Sequence, residues 1–190
     1  YDKLGYVQLA VEPYGGLILA SWLNRDLSVA GRVVVRSKDG RLYSKLVKIA
    51  RPFLSIPQLA IHLDREVNEK GLVLNKQTNL PPIVGLVNDG VDSTKRLHDL
   101  FTLGEDELIG FDLALYDTQP SAIGGMDYEF IYAPRLDNLA SCHVAASALG
   151  SIIDPICPCV VVCYDNEEVG SQTAQGAQSS FLKVGLMWAI

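Results

Sequence analysis

The sequence has little positive charge and no long apolar run. Its 190 residues include 16 Lys and Arg against 22 Asp and Glu, which gives a net charge of −6. This excess of acid argues against binding to nucleic acid or to an anionic membrane surface, because both carry negative charge. No transmembrane run and no secretory signal is visible. No internal repeat or heptad is visible either, so the pattern does not indicate a solenoid or a coiled coil.

Cysteine is also scarce, and its four positions are Cys142, Cys157, Cys159 and Cys163. The spacing of Cys157 and Cys159 is not that of common structural zinc sites. We therefore expect buried free thiols, because unpaired cysteine is among the most buried residue types. A zinc site built on Cys157 and Cys159 is the alternative.

The pattern from residue 1 to about residue 126 is β-rich. Strands are predicted over 6–11, 17–23, 32–36, 42–47 and 108–116. The turn residues Lys38-Asp39-Gly40 predict a hairpin between the third and fourth of these strands. The polar stretch 64–92 is predicted to be an extended loop, and 93–103 a helix that begins at a serine cap.

A strong chemical signal lies where an apolar run ends in a group of acids. The run 159–163 is typical of a strand buried on both faces, and Glu167 and Glu168 follow it. Open α/β folds place their chemistry at the carboxyl ends of such strands. A bound cation would relieve the repulsion between the two acids, with one glutamate on the metal and the other facing its water as a base. A solvated acidic turn is the alternative.

A further carboxylate, Asp137, precedes a predicted helix. The apolar residues from Leu139 to Leu149 keep helical spacing, and Gly150 is a natural end. Asp137 then lies at the helix start, where it is either an ordinary N-cap or a metal-bridging carboxylate. A helix followed by a buried strand would bring it into one α/β unit with the two glutamates.

These motifs belong to a set that runs through nearly the whole chain in order. The set includes Tyr14-Gly15-Gly16, Arg25-Asp26-Leu27, Ala30-Gly31-Arg32-Val33, Leu59-Ala60-Ile61-His62-Leu63, Asp117-Thr118-Gln119-Pro120, Arg135-Leu136-Asp137-Asn138, Tyr164-Asp165-Asn166-Glu167-Glu168-Val169-Gly170-Ser171 and Ala174-Gln175-Gly176-Ala177. Together they closely resemble the aspartyl aminopeptidase family of dinuclear zinc exopeptidases.

The resemblance implies an α/β fold class, in which part of a zinc-exopeptidase α/β catalytic domain carries an inserted β-rich dimerisation domain. The β-rich dimerisation domain would span residues 1–126, and the partial catalytic domain residues 127–190. It further implies self-association, because members of the family assemble into a dodecamer built from dimers.

The resemblance also assigns roles to single residues. Asp137 would bridge two Zn²⁺ ions in each complete subunit, Glu168 would be a ligand to one of them, and Glu167 would be the general base. His62 would reach the active site of a neighbouring subunit, bind substrate and stabilise the tetrahedral intermediate. For His62 taken alone, the alternative is a histidine at a strand end with a satisfied hydrogen bond.

The implied activity is removal of N-terminal Asp or Glu from peptides by metal-activated water. The family supplies further zinc ligands from a His-x-Asp segment upstream and from an Asp and a His downstream, and the sequence holds none of these. Only three histidines are present, His62, His98 and His143. We therefore expect an internal fragment of a longer enzyme that holds a partial metal site and is inactive alone.

Two other functions remain open at this point. One is a non-catalytic oligomerisation module, and the other is a related dinuclear exopeptidase of different specificity. The free thiols and the family together favour a cytoplasmic protein, with a vacuolar or lysosomal one as the alternative.

Overall fold

The computed structural model describes residues 2–87 and 92–189. It divides into two compact units, a first unit of Tyr1–Pro13 with Ile18–Gln119 and a second unit of Tyr14–Leu17 with Pro120–Ile190. In chain order the strands and helices are β1 (Asp2–Lys3), β2 (Tyr6–Gln8), β3 (Leu27–Arg36), β4 (Leu42–Lys48), α1 (Val67–Lys70), β5 (Ile83–Leu86), α2 (Ser93–Leu100), β6 (Glu107–Asp117), β7 (Ala122–Gly124), β8 (Phe130–Tyr132), α3 (Leu136–Gly150) and α4 (Phe181–Ala189). Short 3-10 helices cover Leu19–Trp22 and Glu167–Val169.

The first unit is built around β3, which lies between β4 and β6 in an antiparallel sheet. Side chains on a strand alternate between its two faces, and Leu27, Val29, Val33 and Val35 all occupy one face of β3. All four are buried, three of them completely. Gly31 fills the remaining position of that row, where a Cβ atom would collide with the carbonyl oxygen of Asp112. This row is the centre of the hydrophobic core.

One buried polar group of this sheet is fully paired. The Ser28 hydroxyl donates to the carbonyl oxygen of Ile49 at 2.6 Å, and the Tyr116 hydroxyl donates to the same oxygen at 2.6 Å. Burial of Ser28 therefore costs little, because its hydroxyl keeps a hydrogen-bond partner. A second antiparallel sheet, with the order β1-β2-β5, completes the strands of the first unit.

Several sequence predictions for the first unit are confirmed. The hairpin between β3 and β4 turns at Lys38-Asp39-Gly40, where the Ser37 amide donates to the Arg41 carbonyl at 2.9 Å and Gly40 has a φ of 84°. The strand predicted over 108–116 is β6, and the helix predicted from residue 93 is α2.

The strand predicted over 17–23 is wrong, since Leu19–Trp22 is a 3-10 helix. The amide of Ser21 donates to the Ile18 carbonyl at 3.1 Å, and its hydroxyl donates to the same carbonyl at 2.8 Å. Local bonding of a serine side chain to the backbone favours a turn over an extended strand.

The extended loop predicted over 64–92 is wrong in part. It contains α1 and β5, and β5 pairs with β2 across more than 70 positions of sequence. Such distant pairing leaves no local signal. Residues 88–91 of the predicted loop lie outside the described residues.

The second unit contains the β7–β8 hairpin, α3, the Glu167–Val169 turn and α4. Helix α3 ends at Gly150, as predicted. The strand predicted over 159–163 is wrong, because this run is neither helix nor strand and most of it is exposed. A strand needs a partner for its backbone hydrogen bonds, and no strand of the described residues pairs with this run.

The described residues therefore form a mixed α/β structure. Among them, no helix has the length and apolarity required to span a lipid bilayer.

Candidate functional site

Glu167 and Glu168 lie on one turn of 3-10 helix, Glu167–Val169. The turn is flanked by two residues in the left-handed region, Asn166 with a φ of 61° and Gly170 with a φ of 88°. Asparagine and glycine adopt this conformation more readily than other residues, so the local sequence specifies the turn. Both glutamates are exposed. The turn thus presents the adjacent carboxylates of Glu167 and Glu168 to solvent.

Hydrogen bonds hold this turn to the residues that follow it. The Asp165 amide donates to the Gln175 carbonyl at 3.1 Å, and the Thr173 hydroxyl donates to Oδ1 of Asn166 at 2.7 Å. These two bonds join the residues just before the glutamates to Thr173 and Gln175, which follow the turn in the chain. The turn is therefore fixed by its own loop.

Gly176 provides a second support for the same loop. It is buried, and a Cβ atom at this position would collide with the backbone of Ser171. The Gln178 amide also donates to the Ser171 carbonyl at 3.1 Å. The motif around Gly176 thus has a physical role, since only glycine permits this approach of backbone to backbone.

Gly15 lies against Glu168 in the second unit. A Cβ atom built on Gly15 would lie 2.7 Å from Cβ and 2.7 Å from Oε2 of Glu168. Gly15 was not predicted from the sequence to be a site residue. The signal that could have found it is the glycine pair of Tyr14-Gly15-Gly16, which belongs to the same set of motifs as the glutamates.

Asp137 lies at the beginning of α3, as predicted, but it is not the N-cap. Arg135 holds that position with a φ of 61°, and Asp137 itself has non-helical angles of φ −87° and ψ 113°. The peptide bond between Asp137 and Asn138 is cis. The exposed carboxylate of Asp137 accepts no hydrogen bond from a backbone amide of the described residues, so the interpretation of Asp137 as an ordinary N-cap is wrong.

His62 belongs to the first unit and lies in a turn, not at a strand end. The Leu63 amide donates to the Ala60 carbonyl at 2.8 Å across this turn. The imidazole is exposed, and it makes no hydrogen bond to any residue that the structure describes. The alternative of a satisfied strand-end histidine is therefore wrong.

The three acids predicted to act on a metal keep their carboxylates available. Within residues 2–87 and 92–189, the side chains of Asp137, Glu167 and Glu168 accept no hydrogen bond and form no ion pair. Zinc accepts carboxylate oxygens, and a catalytic zinc normally takes three protein ligands. The structure brings Glu167 and Glu168 together on one turn. The described residues contain no group of three or more His, Cys, Asp or Glu that could hold a metal ion. The donors thus fit zinc in chemistry but form a partial set.

The cysteines lie in the same unit as these acids. All four are free, as predicted, but Cys157, Cys159 and Cys163 are exposed, so the expectation of buried thiols is wrong. A hydrogen bond with Cys163, with a smaller contribution from desolvation, raises the pKa of the Cys142 thiol.

The chain matches one known protein family over almost its whole length. Residues 1–187 match the family described as aminopeptidase I zinc metalloprotease (M18). This chain belongs to the M18 family. The resemblance to zinc aminopeptidases is thereby confirmed at the level of the family, whose zinc agrees with the carboxylate donors described above.

A curated M18 relative shows how much of the family protein is present. A "Probable M18 family aminopeptidase 2" of Stutzerimonas stutzeri is 44% identical to this chain over 191 residues. The alignment covers 96% of this chain and 43% of that protein. The chain thus spans less than half the length of this curated relative.

Solved structures of M18 proteins share the fold. The cryo-EM structure of the Ape4 and Nbr1 complex contains a chain that is 37% identical, with a TM-score of 0.86, and the match covers 98% of this chain and 40% of that one. The S. cerevisiae mApe1 dodecamer is 30% identical, with a TM-score of 0.72, and the match covers 98% of this chain and 43% of that one.

Proposed function

We propose that this chain is part of a zinc-dependent aminopeptidase that removes N-terminal Asp or Glu from peptides. The observation that carries this proposal is the match to the zinc aminopeptidase family over residues 1–187. Because the chain spans 43% of its curated relative, the activity is that of the complete protein.

Asp137 and Glu168 are the proposed metal ligands of this chain. In a complete subunit with two zinc ions, Asp137 would bridge both and Glu168 would bind one. When bound, zinc lowers the pKa of a water molecule and polarises the substrate carbonyl. The exposed carboxylates of Asp137 and Glu168, which have no partner among the described residues, support this assignment.

Glu167 is the proposed general base. Its carboxylate would take a proton from the attacking water and pass that proton to the nitrogen of the leaving amine. Its position beside Glu168 on one fixed turn supports this role, because a base must lie within reach of the water that it activates.

Residues 1–126 are proposed to form a dimerisation domain inserted into the catalytic domain, to which residues 127–190 belong. His62 would then act across a subunit interface and donate a hydrogen bond to the oxyanion that forms in the neighbouring active site. An imidazole that is exposed and makes no hydrogen bond to the described residues supports this role. The mApe1 dodecamer shows that a relative self-associates.

Substrate choice and location complete the proposal. The chain has a net charge of −6, so its overall electrostatic field repels an acidic substrate. Recognition of an acidic N-terminal residue therefore needs local basic groups near the binding site. Four free thiols support a cytoplasmic location.

The test uses the complete protein with aspartyl, glutamyl, alanyl and leucyl substrates. Replacing Glu167 by Gln should lower kcat by about 100- to 10,000-fold, because general base catalysis contributes that much. Most of the zinc should remain bound. Asp137→Asn should lose zinc, and Glu12→Gln, which removes an exposed acid of the first unit, should match the parent.

Three outcomes would contradict the proposal in different ways. Near-normal turnover of Glu167→Gln would show that the base is assigned wrongly. Equal turnover of aspartyl and leucyl substrates would remove the specificity but keep the enzyme class. A complete protein with neither zinc nor activity would favour a non-catalytic assembly module.

A further inference from the structure

A short N-terminal segment belongs to the part of the molecule that carries Glu168. Tyr14–Leu17 is in the second unit, whereas the chain on both sides of it, Tyr1–Pro13 and Ile18–Gln119, is in the first. The segment is thus grouped with residues more than 100 positions away, and Gly15 approaches one of them, Glu168. Such a placement requires specific contacts, since chain connectivity alone would keep these residues in the first unit.

The contact is made by the backbone of Gly15 on Glu168. Beyond the two 2.7 Å approaches to Cβ and Oε2, a Cβ atom on Gly15 would lie 3.1 Å from the carbonyl oxygen of Glu168. Three different parts of Glu168 would therefore meet any added side chain. Rotation of the flexible carboxylate would relieve only one of these contacts, because Cβ and the carbonyl oxygen move only with the backbone.

The neighbouring glycine provides a contrast. A Cβ atom on Gly16 would have nothing within 4 Å. The close approach is therefore a property of one position and not of the whole segment. Gly15 also has a φ of 67°, a conformation that glycine adopts without steric cost.

The geometry points to Gly15 as a positioning residue for Glu168. Its backbone forms the surface against which the Glu168 side chain rests, and so limits where the carboxylate can lie. This inference rests on the proposed function, in which Glu168 is a zinc ligand. Groups that orient a metal ligand typically contribute 10- to 100-fold to metal affinity.

The main test compares alanine variants of three glycines in the complete protein. Gly15→Ala should weaken zinc affinity by about 10- to 100-fold, measured by competition with a chelator of known affinity. Gly16→Ala controls for the place in the chain. Gly5→Ala controls for the backbone conformation, because Gly5 has a φ of 83° and open space around it. The zinc affinity of both controls should lie within about twofold of that of the parent, because neither residue contacts Glu168.

A double variant tests whether the effect acts through Glu168. In a Glu168→Gln background, Gly15→Ala should cause no further loss of zinc affinity, because residues that act through one another are not additive. A purely structural role of Gly15 predicts the same loss in both backgrounds and would overturn the inference.

Failure of the inference and failure of the proposed function are distinguishable. If Glu168→Gln loses zinc while Gly15→Ala binds it like Gly16→Ala, the positioning role is overturned and the ligand assignment stands. If Glu168→Gln binds zinc normally, the ligand assignment fails and the inference fails with it.

A measurement on the unmutated protein covers the case in which Gly15→Ala does not fold. Zinc binding should slow amide hydrogen exchange in residues 14–17, because it fixes the side chain on which Gly15 packs. Glu168→Gln should abolish this slowing. Exchange in residues 14–17 that is unchanged by zinc would overturn the inference.

Discussion

The chain contains two runs of three valines that have the same sequence and different structures. Val33-Val34-Val35 lies in β3 between two partner strands, and its first and third side chains are completely buried. Val160-Val161-Val162 is neither helix nor strand, and Val160 is 60% exposed. The comparison teaches that an apolar run becomes a buried strand only where neighbouring strands accept its backbone hydrogen bonds.

The same difference separates the two units as a whole. Among the side chains whose burial the structure describes, every buried large apolar one belongs to the first unit. In the second unit, side chains such as Ile153 and Met126 are almost fully exposed. The first unit therefore contains its own core, whereas the described part of the second unit is held by local hydrogen bonds and close backbone contacts.

The largest expected effect comes from shortening one valine of each run. Val33→Ala should lower the free energy of unfolding by about 2 to 3 kcal/mol, because it removes two buried methyl groups and leaves a cavity. Val160→Ala should change it by less than about 0.5 kcal/mol, as expected of an exposed side chain. Urea unfolding of the 190-residue chain measures both. Equal losses would mean that the second run is also buried.

A smaller effect is expected from a glycine of the same sheet. Gly31→Ala places a methyl group against the carbonyl oxygen of Asp112 and should cost about 1 to 2 kcal/mol through strand displacement. Gly110 lies on the neighbouring strand β6, and a Cβ atom there would meet open space. Gly110→Ala should therefore leave the free energy of unfolding unchanged or raise it by about 0.5 kcal/mol. The same unfolding experiment distinguishes them. If both variants were neutral, the core around β3 would be more loosely packed than the valine comparison requires.

The secondary structure that the sequence predicts correctly is the part that depends on local signals. The β3–β4 hairpin and β6 were predictable because strand period and turn residues are local signals. Helix α3 was predictable in the second unit as well, because a helix satisfies its backbone within one segment. Strand β5 and the run 159–163 were mispredicted, since their state depends on partners far away in sequence.

The sequence identified which residues belong to the candidate site better than it predicted how they are arranged. The adjacent acids Glu167 and Glu168 stand out in the sequence, and the flanking Asn166 and Gly170 explain the turn that displays them. The contact of Gly15 with Glu168 could not be derived, because no local pattern joins positions 15 and 168. A backbone contact of a glycine is recognisable only once the fold has brought the two segments together.

The smallest expected effect concerns Cys142, which lies on α3, and Cys163, which lies in the run after that helix. Since the Cys163 thiol raises the pKa of Cys142, it lowers the fraction of Cys142 thiolate at a given pH. Cys163→Ala should therefore shift the pH profile of Cys142 alkylation to lower pH. The rate at pH 8 should rise by a few-fold, because the thiolate is the reacting form, and the two profiles should converge at high pH. Cys157→Ala, which removes an exposed thiol of the same unit, should leave the profile in place. Mass spectrometry of the alkylated chain follows Cys142 separately from the other thiols. A profile that Cys163→Ala does not move would show that the Cys163 thiol has no influence on Cys142 in solution.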